Sequence, residues 1–101
     1  MEHKELSADW VVNCTGPDYD VARSTDPLFQ SLLRSGLAVP DACGLGLKTG
    51  SRGSVIDADG WPGTHLFYVG PMLRADHWEA TAAAELRTHA ERLATHLAER
   101  R

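Results

Sequence analysis

The chain is poor in cysteine, has no long apolar run and carries no excess of basic charge. Its two cysteines, Cys14 and Cys43, do not form a C-x-x-C pair, and the first residues, M-E-H-K-E-L, contain no apolar signal segment. Both thiols are therefore expected to be free and reduced. No apolar run approaches the roughly 18 residues that a membrane span needs. These absences favour a cytoplasmic protein without a membrane partner.

The charge balance argues against nucleic acid as the main partner. Ten Lys and Arg residues face 14 Asp and Glu residues, for a net charge of −4, whereas nucleic-acid binders need a basic face. Hydrophobic content of 43% and charged content of 24% are ordinary for a soluble globular protein. The length of 101 residues predicts a single domain over residues 1–101.

Residue types that ligate metals or attack substrates do not occur at diagnostic spacings. No two of His65, His77, His89 and His96 lie at the i, i+4 spacing of the helical zinc motif, so no metal site is predicted, and solvated or capping histidines are favoured. Cys14 lacks the arginine that a phosphatase-like loop would need and is predicted to be a buried structural thiol.

Hydrophobic patterning predicts four elements. The run W-V-V-N-C at 10–14 favours a strand, because it contains a β-branched pair and stops at Thr15-Gly16-Pro17. Asp26-Pro27 is a strong helix start and Gly36 a helix stop, which predicts a helix over about 27–35. Residues 53–69, with Asp59-Gly60 at the turn, favour a hairpin. The last 25 residues favour a helix, with Asp76 and Glu79 at capping-box spacing.

These elements predict an α/β fold: a small, mostly parallel sheet with a β-hairpin and a long C-terminal helix packed across it. The strands at 10–14 and 65–69 are expected to be parallel, with the 27–35 helix in the crossover. The long helix is expected to bury Leu86, Leu93 and Leu97, which recur at helical spacing.

Two apolar runs end at glycine corners, W-V-V-N-C-T-G at Gly16 and L-F-Y-V-G at Gly70. Glycine lets a backbone approach a bound group closely. The second corner precedes the long helix, whose free N-terminal N–H groups can bind an anion. The two corners together suggest a dinucleotide or flavin site.

The order of motifs resembles the C-terminal part of the bacterial FAD/NAD(P)-binding oxidoreductases. The motifs are V-V-N-C-T-G-P, then D-P-L-F-Q-S-L-L-R-S-G, G-L-G-L, L-F-Y-V-G-P and W-E-A-T-A-A-A-E-L-R, covering roughly residues 8–99. The resemblance implies a partial FAD/NAD(P)-binding, Rossmann-like domain in a flavoprotein that uses FAD and is a candidate for NAD(P)H.

The resemblance also implies where the cofactor would lie, and it assigns no catalytic residue. The strand ending at Thr15 and Gly16 would lie near it, and the turn at Gly70-Pro71 would approach its ribityl and pyrophosphate region. The helix start near Glu79, Thr81 and Ala82 would direct backbone N–H groups at the flavin or its phosphates. Pro71 stands where the wider flavoprotein class has an aspartate that binds a ribityl hydroxyl. Trp78 is equally well explained as a stacking residue or as a packing anchor.

One departure from the family is the lack of a strand followed by Gly-x-Gly-x-x-Gly. The segment G-L-G-L-K-T-G at 44–50 has its third glycine one position late and lacks the strand-to-helix context. The chain is therefore expected to be a fragment, a truncated gene product or one half of a split protein, inactive alone. The alternative is a non-catalytic α/β module that forms a homo-oligomer or complements a partner chain, because an uncovered sheet edge invites association.

Overall fold

The computed structural model describes residues 1–100 and contains two helices and one hairpin. Helix α1 spans Pro27–Arg34, strands β1 and β2 span Ser54–Ile56 and Pro62–Phe67, and helix α2 spans Ala83–Glu99. Three short 3₁₀ turns lie between them, at Val21–Arg23, Ser51–Gly53 and Pro71–Leu73.

Helix α1 forms where the sequence predicted it, and for the predicted reasons. The Asp26 carboxylate accepts a hydrogen bond from the Leu28 N–H at 2.8 Å, and Pro27 occupies the first helical turn. At the other end Gly36 adopts a φ of +76°, and its N–H donates to the Leu33 carbonyl at 3.2 Å. Capping at both ends stabilises a helix of only eight residues, which is too short to be stable by itself.

The hairpin is antiparallel, with Ser54 opposite Phe67 and Ile56 opposite Pro62. Asp57 organises its turn, since its Oδ1 accepts hydrogen bonds from the N–H groups of Asp59 and Trp61 at 2.9 and 3.0 Å. On the other side of β1, the Ile56 N–H donates to the Lys48 carbonyl at 3.1 Å. Single antiparallel bridges join Thr49 to Val55 and Pro40 to Leu47, so the hairpin extends into a short irregular ladder.

The prediction of a mostly parallel sheet is wrong. Within residues 1–100 the one sheet is the two-stranded antiparallel hairpin, and residues 10–14 form no strand. Trp10, Val11 and Val12 are 89%, 88% and 80% exposed. A strand needs a neighbour to pair its backbone N–H and C=O groups. The β-branched composition of this segment is therefore not enough to make it a strand without a partner.

The core is small and lies between α1 and the hairpin. Its fully buried members are Val21, Ala38, Leu47 and Val55, and six partly buried side chains pack on them: Phe29, Leu32, Leu33, Leu66, Tyr68 and Met72. The radius of gyration is 17.1 Å, against about 13 Å for a compact chain of this length. Much of the chain thus lies outside the core.

Helix α2 begins later than predicted and buries less. It starts at Ala83, and the Asp76 carboxylate, predicted to cap it, instead accepts a 2.7 Å hydrogen bond from the Thr49 hydroxyl. The helix contains no buried residue, and Leu97 is 43% exposed. The expectation that Leu86, Leu93 and Leu97 are buried is therefore wrong. The physical reason is that α2 packs mainly on the Ser51–Gly53 turn, which is too small to cover a helix face.

Replacing Gly53 by alanine tests how the hairpin is held to its neighbours. Gly53 has a φ of +75°, and a Cβ there would lie 2.5 Å from the Tyr68 carbonyl oxygen. We expect Gly53→Ala to lower the free energy of unfolding by about 2–3 kcal/mol, since conformational strain and overpacking add. Urea unfolding followed by circular dichroism measures the change.

Gly60→Ala is the matched control. Gly60 also has a positive φ, +86°, but no atom lies within 4 Å of its Cβ position. Only the conformational cost of about 1 kcal/mol is expected there. Equal losses in the two variants would contradict the packing role of Gly53.

Candidate functional site

The first glycine corner is formed by local contacts alone. The Asn13 Oδ1 accepts hydrogen bonds from the Thr15 N–H at 3.0 Å and from the Thr15 hydroxyl at 2.7 Å. Gly16 has the positive φ expected of a turn, +79°, and no atom lies within 4 Å of its Cβ position. Thr15 and Gly16 are both exposed. The corner is therefore preformed but is not packed against any other element.

The second glycine corner is buried and already filled. Gly70 has a φ of +153°, and a Cβ there would lie 2.6 Å from the Tyr68 hydroxyl. Exposed Pro71 follows and begins a 3₁₀ turn. Because Gly70 has no Cβ, the side chain of Tyr68 can lie against the backbone at this corner.

The start of α2 is the feature best suited to an anionic group. Glu79, Thr81 and Ala82 are all exposed. Ala82 occupies the N-cap position, and no side chain caps the helix. Uncapped N–H groups at a helix start carry a partial positive charge and favour a negative ligand.

Tyr19 connects the N-terminal segment to the region between Gly70 and α2. The Arg74 guanidinium lies 4.8 Å from the centre of the Tyr19 ring and 4.0 Å from that of Trp78. This geometry is a cation–π contact with two rings. Trp78 is 62% exposed, so one of its faces packs on Arg74 while the side chain stays open to solvent.

The predicted cofactor residues therefore fit FAD only in part. Gly70, Pro71, Glu79, Thr81 and Ala82 follow one another along one segment, whereas Gly16 has no packing neighbour that would hold it there. A helix start suits a phosphate or a reduced flavin, but none of these residues lines the cavity between the hairpin and α2. No reaction step is assigned to them.

A partly enclosed cavity lies elsewhere, between the open end of the hairpin and α2. It has a volume of about 240 Å³ and is lined by Ser51, Arg52, Gly53, Tyr68, Val69, Leu73, His77, His89 and Arg92. Sequence reasoning missed this cavity because its charged members come from three separate segments.

Two imidazoles meet at the cavity. The rings of His77 and His89 have centroids 4.7 Å apart, and the buried Nδ1 of His89 has no hydrogen-bond partner within residues 1–100. Burial lowers the pKa of His89 below its ordinary value of 6.5; His77 and Arg92 lower it further, against an opposing effect of Glu85. His89 is thus neither the solvated nor the capping histidine that the sequence predicted.

Neither Tyr68 nor Cys14 completes a catalytic set with the two histidines. Burial raises the pKa of the Tyr68 hydroxyl above its ordinary value, partly offset by a backbone hydrogen bond at Met72. In the described part of the chain no three His, Cys, Asp or Glu side chains converge as metal ligands, so the histidine pair lacks a third ligand. Cys14 is exposed, which corrects the prediction of a buried thiol.

Comparison with known proteins yields no relative: no family model, curated protein or solved structure matches the chain. Among residues 1–100 neither helix combines the length and apolarity required to cross a bilayer.

The lowered pKa of His89 predicts acid sensitivity. The unfolded chain binds a proton more readily than the folded chain does, so the free energy of unfolding should fall as pH drops below 6.5 toward the lowered pKa. We expect His89→Gln to be less sensitive than the parent when urea midpoints are compared at about pH 7.5 and about pH 5. His65→Gln, at an exposed position of β2, is the control and should follow the parent. A His89→Gln variant with the parent's full pH dependence would contradict the assignment.

Proposed function

We propose that the 101-residue chain forms the C-terminal part of an FAD-dependent oxidoreductase, with NAD(P)H as the candidate reductant. The observation that carries the proposal is the W-E-A-T-A-A-A-E-L-R segment beginning at Trp78, which contains the exposed, uncapped start of α2 and follows buried Gly70 and exposed Pro71 in the chain. FAD, when bound, supplies the hydride chemistry, and the protein positions it and adjusts its charge.

The role of the chain in that proposal is binding and not proton transfer. The free N–H groups at the start of α2 would hold a phosphate or stabilise negative charge on a reduced ring. Thr81 is exposed beside them, and its hydroxyl is available as a further donor. No acid, base or nucleophile is assigned.

The exposed apolar segment supports a site that is completed by further polypeptide. Trp10, Val11 and Val12 present large apolar surface to solvent, and soluble proteins rarely leave contiguous apolar patches uncovered. The segment leads directly into the Thr15-Gly16 corner, which has no packing neighbour. A partner that pairs with residues 10–14 would fix both the segment and the corner.

The same surface favours the second candidate, a non-catalytic module that associates with itself or with another chain. Exposed Leu28, Trp61 and Leu97 add to the apolar area, and α2 contains no fully buried side chain. This candidate requires association without any flavin. Light scattering of the purified chain, together with its visible spectrum, separates the two candidates.

The direct test is the visible absorption of the protein encoded by the whole reading frame that contains these residues. We expect a yellow protein that retains FAD after desalting, and an in-frame Gly-x-Gly-x-x-Gly segment upstream. The same spectrum of the 101-residue chain with added FAD measures what this part binds alone. A whole protein that stays colourless after incubation with FAD would refute the flavoprotein proposal.

Val11→Asp tests whether residues 10–14 are a docking segment. Val11 is 88% exposed, so the substitution should change the free energy of unfolding of the isolated chain by no more than about 0.5 kcal/mol. In the whole protein a buried, unpaired carboxylate should weaken FAD retention at least about tenfold.

Leu6→Asp is the control, because Leu6 is equally exposed, at 88%, and lies outside the segment. It should leave both measurements unchanged. Equal FAD retention in the two variants would show that residues 10–14 do not dock. Loss of self-association by Val11→Asp, with no flavin in either protein, would support the second candidate instead.

A further inference from the structure

We propose that the cavity between the hairpin and α2 binds a small aromatic anion, a single ring that carries a phosphate or a carboxylate. The inference goes beyond the flavin proposal, since none of the predicted cofactor residues lines this cavity. It rests on three features of the cavity: its two-sided lining, its charge and the backbone of Arg52.

The lining has an apolar wall and a cationic wall. Tyr68, Val69 and Leu73 form the apolar one. Arg52 and Arg92 supply the charge of the other, to which His77 and His89 add imidazole rings. The volume of about 240 Å³ lies below the roughly 300–1,000 Å³ of sites for drug-sized ligands. One ring with one charged group suits that size and that pairing of surfaces.

The cationic wall carries no carboxylate of its own. Within residues 1–100 the ion pairs join Arg23 to Asp18 and Arg87 to Glu91, so neither Arg52 nor Arg92 is neutralised. Carboxylates do lie nearby: Glu85 acts on His89, and Glu99 lines a shallow cleft that adjoins both arginines. The lining itself nevertheless contains two arginines and no carboxylate, in a chain whose net charge is −4.

Arg52 occupies a backbone conformation that its side chain disfavours. Its φ of 58° and ψ of 25° are left-handed, and within residues 1–100 it is the one non-glycine residue with a positive φ. A glycine would avoid a cost of about 1 kcal/mol there. The guanidinium reaches α2, where it lies 3.0 Å from the Nδ1 of His96. Strain of this kind clusters at ligand clamps, and here it occurs at a residue that lines the cavity.

His89 gives the site a dependence on pH. His77 and Arg92 disfavour its protonated form, while Glu85 offsets part of this effect. His89 lines the cavity, so a bound anion favours its protonated form. Binding should therefore tighten as His89 becomes protonated.

Titration calorimetry with phenyl phosphate and with benzoate tests the site on the full chain. We expect one saturable site for at least one of them. Phenol, which has the same ring without the anion, and inorganic phosphate should each bind at least about tenfold more weakly. Equal binding of phenol would refute the cationic site, equal binding of inorganic phosphate would refute the apolar wall, and absence of binding by both aromatic anions would refute the proposal.

Arg52→Gly separates binding from folding. Glycine relieves the left-handed strain, so the urea midpoint should not fall, yet the affinity for the aromatic anion should drop about tenfold or more. Arg92→Gln should show a similar loss. Arg87→Gln removes the same charge from an exposed position of the same helix and should bind like the parent. Unchanged affinity in both Arg52→Gly and Arg92→Gln would overturn the proposal.

Benzoate also tests the histidines, because its carboxylate stays ionised above about pH 5.5. Its affinity should rise several-fold between about pH 8 and about pH 5.5, and His89→Gln should flatten that profile. If phenyl phosphate is the ligand that binds, the profile is measured with it in the same two proteins. A profile that is identical in the parent and in His89→Gln would remove the histidine from the site.

Discussion

The open end of the hairpin is the constraint on which the rest of the structure depends. There the Tyr68 N–H donates a hydrogen bond to the Gly53 carbonyl at 2.8 Å. The two backbones can lie this close because Gly53 has no Cβ, which would be only 2.5 Å from the Tyr68 carbonyl oxygen. The contact fixes the Ser51–Gly53 turn, which in turn supports α2. It also fixes Tyr68, whose ring fills the Gly70 corner. The cavity, which Gly53 and Tyr68 both line, and the second glycine corner depend on this pairing.

A second constraint is the small amount of apolar surface that the chain can bury. Its core has few members. Each Å² of buried apolar area stabilises the fold by about 25 cal/mol, and this gain must offset the entropy that is lost when the chain becomes ordered. The Trp10–Val12 segment adds nothing to that core. Covering this segment would therefore contribute stabilisation that the described residues do not supply to themselves.

Local chemistry made parts of the fold predictable from sequence. The bounds of α1 were predictable because the caps, Asp26-Pro27 and Gly36, act within one helical turn. The hairpin was predictable because its turn, Asp57 to Gly60, is held by the Asp57 side chain. The two predictions that failed, a strand at 10–14 and an earlier start of α2, depended on partners distant in sequence. Val11 has no neighbouring strand to pair with, and the Asp76 carboxylate accepts a hydrogen bond from the Thr49 hydroxyl instead of capping the helix. The sequence of a single segment does not reveal which distant residues will contact it.

The site divides in the same way. Gly16 and Gly70 were identifiable because a positive φ is a local property that glycine signals, but which groups would approach them is a tertiary property. The cavity lining was not identifiable, since Arg52, His77 and Arg92 come from segments with no shared motif. Arg52 is the instructive case: an arginine where glycine would be the cheaper residue opposes local preference, and such conflicts concentrate at functional positions. A chain with so little buried surface has little stability to spare for strain, so the presence of an arginine at this left-handed position is better explained by a role of its side chain than by a preference of its backbone.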